Sequence, residues 1–360
     1  MVRKIRFQKW LLEGEERTSK KPVSVLFYGG GAEKTYLAEL VFSAGYSETP
    51  AGSEWIWDFR RVMRQQPADI VVVGNAGPKL YRYLSDGRDF YVPDWVRGEI
   101  VFSEALARME TSGHLKSDLR RIRKNALDFE LTRSPSRFDH FYNTMYVPYI
   151  SKAYGRTAML MSHERMKELE GQSELMLVTQ DGEPLAGQIL VHERDRVRCW
   201  SIGVKDGNHD YVKMGAQAAL YRHEIQYLSE QGYKAMHVGA SRAFLKDGVL
   251  RFKNKWGMRM LNPSRKGFLL KPLRKTQGAM AFFVNNPFIH LQHGQYIGIV
   301  FADGAPDTDY YRNIRLQYCS PELAKLRVYI DSDHNTGGPK PDGVEEGITI
   351  ASIDALFDAG

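Results

Sequence analysis

Leu175-Met-Leu-Val-Thr179, Asp181-Gly182, Leu185-Ala-Gly-Gln-Ile-Leu-Val191, Arg194-Asp-Arg196 and Val197-Arg-Cys-Trp-Ser-Ile-Gly-Val204 form the stretch whose reading decides the fold. Asp and Gly both tolerate positive φ, so Asp181-Gly182 is a hairpin turn between two apolar runs, and the polar Arg-Asp-Arg makes a second tight turn. Three antiparallel strands are predicted. After a polar loop over residues 205–211, the apolar residues Met214, Ala218, Tyr221, Ile225 and Leu228 recur at spacings of four, three, four and three, which puts them on one helical face. Gly232 stops that helix, and Tyr233-Lys-Ala-Met-His-Val-Gly239 is the strand to which it returns. A strand, a crossover helix and an adjacent parallel strand leave a crevice at the first strand's carboxyl end, where the helix N-terminus offers free N–H groups to anions.

This order resembles the acyl-CoA N-acyltransferase (GNAT) fold, and its Fem-type branch in particular. The residues that carry the resemblance are Asp181-Gly182, the helix entry Lys213-Met-Gly-Ala216 and the stop Gln231-Gly232. Above all it rests on Gly239-Ala-Ser-Arg-Ala-Phe-Leu-Lys-Asp-Gly-Val-Leu-Arg-Phe-Lys-Asn-Lys-Trp-Gly257, a glycine-ended strand followed by an aromatic-Lys pair and an aromatic-Gly. The usual GNAT loop carries Arg or Gln and then Gly-x-Gly/Ala before the helix, whereas Lys213-Met214-Gly215-Ala216 keeps one glycine.

The resemblance implies an α/β (α+β) chain with GNAT-like mixed sheets flanked by helices, arranged as two GNAT-like halves in tandem. Residues 1–112 are then an N-terminal α/β domain and a candidate degenerate half, 113–265 the catalytic half, and 266–360 a segment packing back on the N-terminal domain. It implies an acyltransferase that moves an acyl group from acyl-CoA to an amine or hydroxyl of a larger acceptor, such as a cell-envelope precursor, polysaccharide or peptide. An aminoacyl-tRNA is the alternative donor, and a catalytically silent binding protein on the same fold is the rival reading. In the enzyme reading, Lys213, Met214, Gly215, Ala216 and Gln217 hold donor phosphates, Ser201 lies on the strand edge that bonds the acyl carbonyl, and Lys253 steadies the charge of the tetrahedral intermediate.

Other candidates come from residue chemistry. His192, His209, His223 and His237 lie in the core stretch, and His209, in the polar loop beside the cleft, is the candidate base. Cys199, inside a strand, reads as inert core. Leu115-Lys-Ser-Asp-Leu-Arg-Arg-Ile-Arg-Lys-Asn125 is a helix with Leu115, Leu119 and Ile122 inward. Its Arg120, Arg123 and Lys124 form either a solvated face or a clamp for an anionic acceptor. Phe141, Tyr142, Tyr146, Tyr149 and Tyr154 follow helical spacing, with Pro148 expected to break the helix; they pack a core, or Tyr146 and Tyr149 wall an acceptor site. Arg251 joins the substrate-binding candidates.

Outside that stretch, 360 residues suffice for two cores, and 43% hydrophobic with 26% charged residues is the balance of a globular chain. A formal charge of +7 favours nucleotide phosphates, tRNA or an acidic membrane surface as partners. Two cysteines, Cys199 and Cys319, draw neither a disulfide framework nor a zinc site, so a cytoplasmic location without a metal or permanent cofactor is expected. Neither a secretory signal nor a membrane-spanning apolar run is legible. Gly29-Gly-Gly31 follows the strand Val23-Ser-Val-Leu-Phe-Tyr28, but Glu33 stands where a phosphate loop needs Gly, so a structural turn is expected. Residues 1–21 read as an irregular or helical arm, 331–347 as a loop, and Ile348-Thr-Ile-Ala-Ser-Ile353 as a strand closing the first domain's sheet.

Overall fold

The computed structural model describes residues 6–55, 58, 68–194, 196–264, 266–318, 320, 322–331 and 346–357. The loop expected over 331–347 falls, apart from its ends, outside the described residues. The chain opens with β1 (Arg6–Glu15), β2 (Pro22–Tyr28), α1 (Gly31–Val41), β3 (Ser47–Trp55), β4 (Ile70–Ala76) and β5 (Phe90–Pro93). Next come β6 (Val96–Val101), α2 (Gly113–Lys124), β7 (Asp128–Thr132), β8 (Ser173–Gln180), β9 (Glu183–Glu193) and β10 (Arg196–Val204). Then follow α3 (His209–Met214), α4 (Ala216–Glu230), β11 (Ala235–Ser241), α5 (Gly248–Lys255), β12 (Arg259–Met260) and β13 (Gly267–Pro272), and after them β14 (Phe288–Gln292), β15 (Gln295–Phe301), β16 (Leu323–Ile330) and β17 (Ile348–Ser352).

Two compact units result, one from residues 1–96, 241–251 and 262–360, the other from 97–240 and 252–261. Both are mixed α/β, the class expected. The first holds a sheet ordered β3-β1-β2-β4-β13-β5 and another ordered β14-β15-β16-β17. In the larger sheet only β2 and β4 run parallel, from Val25↔Ile70 to Tyr28↔Val73; the other neighbours are antiparallel. β1 corrects the expectation of an irregular or helical arm. Its charges mask the strand period, but it pairs with β2 on one side and β3 on the other, and long-range pairing overrides local propensity. Lys9 is buried on it and finds Glu54 at 3.0 Å. The terminal strand β17 joins the four-stranded sheet, in parallel with β16.

The second unit holds the sheet β12-β6-β11-β10-β9-β8-β7. The predicted meander is there, β8 meeting β9 at Asp181-Gly182 with φ of 50° and 82°. Alternation along β9 sends Ile189 and Val191 into a core with Phe138, Phe141, Met145, Tyr146, Leu175 and Leu177. Gln188 and Leu190 take the opposite face. Ala218, Tyr221, Ile225 and Leu228 form the buried face of α4 as the spacing requires, whereas Met214 ends the separate helix α3, because Gly215 at φ 106° interrupts the run.

Pro148 does not break its helix. Helical residues 135–141 pass through a π turn, Tyr142–Tyr146, into the helix Val147–Tyr154, whose first turn Pro148 occupies, where a missing N–H costs little. That π turn lies hard against β10. A Cβ on Gly203 would fall 2.7 Å from Tyr146 N and 2.8 Å from Met145 C, both backbone atoms that cannot rotate away. Gly203→Ala is expected to destabilise the protein by about 1–3 kcal/mol. A urea midpoint equal to that of the wild type would show that the backbone yields instead.

Candidate active site

β10 and β11 are parallel neighbours, yet they share register only at Val197↔Met236 and Arg198↔His237. β10 runs on to Val204 and β11 to Ser241, so from Cys199 onward the sheet is open. Ser201 lies in this opening stretch of β10. Register with β9 slips between Trp200 and Ile202, and Ser201 has φ 62°. A bulge residue in the left-handed region bends the strand locally and re-aims its neighbours. The crossover between the two strands is α3 and α4, and the first turn of α4 leaves N–H groups without intrahelical acceptors. No acidic side chain occupies that turn, so its positive end stands unneutralised.

At the α3–α4 junction three sequence candidates meet. Asn125, capping α2, donates its Nδ2–H to the Met214 carbonyl at 2.9 Å. Gly215 sits against the same helix: a Cβ there would lie 3.3 Å from Arg121 Cβ and 3.7 Å from Ile122 N. The close approach that demands glycine at 215 is therefore that of α2, together with its positive φ. Gln217 donates to the Tyr149 hydroxyl, whose pKa burial raises. Residues 213–217, the basic end of α2 with exposed Arg120, Arg123 and Lys124, and Tyr149 thus share one neighbourhood. Lys213 turns to Asp210 at 3.0 Å on the exposed surface, and His209 is an exposed residue opening α3. Tyr146 is core, its hydroxyl accepting the Met161 N–H at 2.8 Å. Arg251 belongs to the first unit and is exposed.

Beneath the opening lies a buried polar group. Lys253, 6% exposed, donates to the Ala240 carbonyl at 2.9 Å, at the far end of β11. Cys199 Sγ stands 3.8 Å from Glu224 Oε2 and 3.4 Å from Met236 Sδ. Burial, reinforced by Glu224, pushes the thiol well up despite the opposing charge of Lys253, which fits an inert core cysteine. Burial also lifts the Glu224 carboxyl to about 8, so it is largely protonated at neutral pH. Among the described residues its Oε1 has no hydrogen-bond partner, and neither has Oε1 of buried Gln188. Glu224 was hidden in the sequence by its place three residues after Tyr221 and four before Leu228, the spacing that marks the apolar face. Asp118 is hidden likewise between Leu115 and Ile122. Only 5% exposed, it receives Lys255 at 2.6 Å and so fixes the end of α5 to α2.

Residues 110–254 match the acetyltransferase (GNAT) domain family. The chain carries a GNAT-type acyltransferase domain. Among solved structures, FemX is 12% identical with a TM-score of 0.38, over 72% of this chain and 83% of that one. L-PGS from Bacillus licheniformis is 11% identical with a TM-score of 0.37, over 72% of this chain and 82% of that one. An aminoglycoside acetyltransferase from an uncultured soil metagenomic sample is 13% identical with a TM-score of 0.29, over 38% of this chain and 89% of that one. Likeness at this level leaves the chemistry of the GNAT domain to its own residues. No curated protein matches the sequence significantly. Among the described residues no helix is long and apolar enough to cross a membrane.

Glu224 ties stability of this domain to pH. Unfolded, its carboxyl titrates near its ordinary 4.5; folded, near 8. Between those values only the folded state keeps the proton, so this contribution is full at low pH, is lost as pH rises through the window and is level above it. Glu224→Gln is expected to remove that loss. Urea unfolding at roughly pH 5 and pH 9 checks it: the variant should gain on the wild type at the higher pH, and an unchanged gap would mean Glu224 is ionised when folded.

Proposed function

We propose that the GNAT domain transfers an acyl group from acyl-CoA to an amine or hydroxyl of a larger acceptor, a cell-envelope precursor, polysaccharide or peptide, in the manner of the Fem-type branch. The observation that carries this reading is the early parting of β10 and β11 beside an unneutralised helix N-terminus. Such an opening exposes unpaired strand edge to an acyl chain while the helix end faces the donor pyrophosphate. The Fem-type part of the proposal rests on Phe252-Lys253 and Trp256-Gly257, which stand on and just beyond α5.

In the proposed reaction the acceptor nitrogen or oxygen attacks the thioester carbonyl. The new bond forms as the carbonyl π pair moves to oxygen; the intermediate then collapses, the C–S bond breaks, and the thiolate leaves with the electron pair. The acceptor loses one proton to solvent or to a base, for which His209 remains the candidate. Donor phosphates are assigned to the N–H groups over residues 213–217, acyl carbonyl contact to the Ser201 edge, and acceptor anions to Arg120, Arg123 and Lys124 with Tyr149 alongside. Lys253 is assigned to the oxyanion. A fixed ammonium in a water-poor site lowers such a barrier by about 3–4 kcal/mol.

Lys253→Met is expected to lower kcat about 10² to 10³-fold with acetyl-CoA affinity intact. It should also cost about 1–3 kcal/mol of stability, because the Ala240 carbonyl loses its donor. Stability loss with wild-type kcat would confine Lys253 to holding β11, and loss of donor binding at unchanged kcat would make it a phosphate ligand. Replacing Arg120, Arg123 and Lys124 together by Gln should weaken acceptor binding and flatten its salt dependence. A salt slope matching the wild type would return these residues to a solvated face. Calorimetry with acetyl-CoA, longer acyl-CoAs and aminoacyl-tRNA decides the donor; no heat from any of them would sink the enzyme reading.

A further inference from the structure

We infer that the first unit carries a ligand site built on Arg242, shaped for a small zwitterion that presents a carboxylate beside an ammonium, as a free amino acid or short peptide does. It stands independently of acyl transfer in the GNAT domain. The Arg242 guanidinium carbon lies 3.7 Å from the ring centre of Tyr36 and 3.9 Å from that of Trp95. Tyr36 and Trp95 make no ring pair with each other, so the guanidinium lies between them. Rings this near restrict how the planar fork can turn, and its N–H groups remain to bond. Among the described residues no carboxylate or carbonyl takes those donors as a hydrogen bond or ion pair. The cation is nonetheless desolvated enough to lose basicity. An oriented, part-buried guanidinium without an acceptor is the arrangement that a bidentate oxyanion satisfies, and little side-chain freedom is left to lose on binding.

The surroundings choose among oxyanions. Glu33, Asp94 and Asp247 act electrostatically on Arg242, and Lys266 acts on Glu33 and Asp94. Two cations thus face three carboxylates, a balance that opposes a phosphate dianion but admits a single carboxylate accompanied by a positive group. Burial raises both Glu33 and Asp94, and the charge of Asp94 raises Glu33 further; an incoming ammonium relieves that strain. Glu33 rests against the backbone of Gly74, where a Cβ would meet its Oε2. Topology agrees, since Glu33 follows β2 and Gly74 lies in β4, the parallel pair of this sheet, near whose carboxyl ends ligands of α/β folds bind.

Calorimetry on the full chain tests this with glycylglycine and L-alanine, with N-acetylglycine and glycinamide as singly charged controls, and with inorganic phosphate. The zwitterions are expected to bind, and capping either end should weaken binding about tenfold or more. Arg242→Met should abolish binding, and Arg242→Lys should fail to restore it because a point charge lacks the fork. Glu33→Gln should narrow the gap between the zwitterions and N-acetylglycine, a reading that stands even where the Arg242 variants do not fold. No heat from any zwitterion at millimolar concentration overturns the proposal, as does phosphate binding without zwitterion binding, or a folded Arg242→Met that binds as the wild type does.

Discussion

Two residue pairs, Val197↔Met236 and Arg198↔His237, are all the parallel register that β10 and β11 share. Parallel strands that stay paired bury their edges, and such a sheet has no room within it for a substrate. Here the pairing stops where β10 is bent by the left-handed Ser201 and pressed from the other side, at Gly203, by the backbone of a π turn. The opening is therefore a consequence of packing. One glycine allows the π turn to approach, the π turn accommodates Pro148, and the bulge absorbs the mismatch in register.

The same economy of space governs the junction of α3 and α4. Gly215 has a positive φ and lies against α2, which brings the basic end of that helix to the start of α4. Asn125 then closes the junction by bonding the Met214 carbonyl. Two features that are far apart in sequence, a run of arginines and a helix entry, become one electropositive neighbourhood through a contact that has no charge in it.

Beneath the opening, desolvation sets the protonation states. Glu224 holds its proton and Cys199 holds its own because neither has enough compensating charge within the core. Lys253 is buried too, but a backbone carbonyl takes one of its donors, which ties the end of β11 to α5. In the first unit the balance differs. Arg242 is flanked by rings and no acid bonds its guanidinium among the described residues, while burial raises the nearby carboxyls of Glu33 and Asp94.

The sequence by itself determined the elements whose signal is local. The Asp181-Gly182 hairpin, the meander, the buried face of α4 and the mixed α/β class are written in turn chemistry and in periods of two and of three to four. The basic helix, the α4 entry and the aromatic-Lys pair were equally legible, since each is a short string with its own chemistry. Tertiary structure alone decided the rest. β1 is a strand because partners on both sides supply its hydrogen bonds; the 135–154 helix survives Pro148 because a π turn precedes it; Tyr146 is core because Met161 meets its hydroxyl. Glu224, Asp118 and the stacked Arg242 could not be read in advance, because a polar side chain on an apolar face, or a guanidinium between two rings, is defined by neighbours tens to hundreds of residues away. Periodicity reports which face is buried. Burial of charge depends on what the fold brings to meet it.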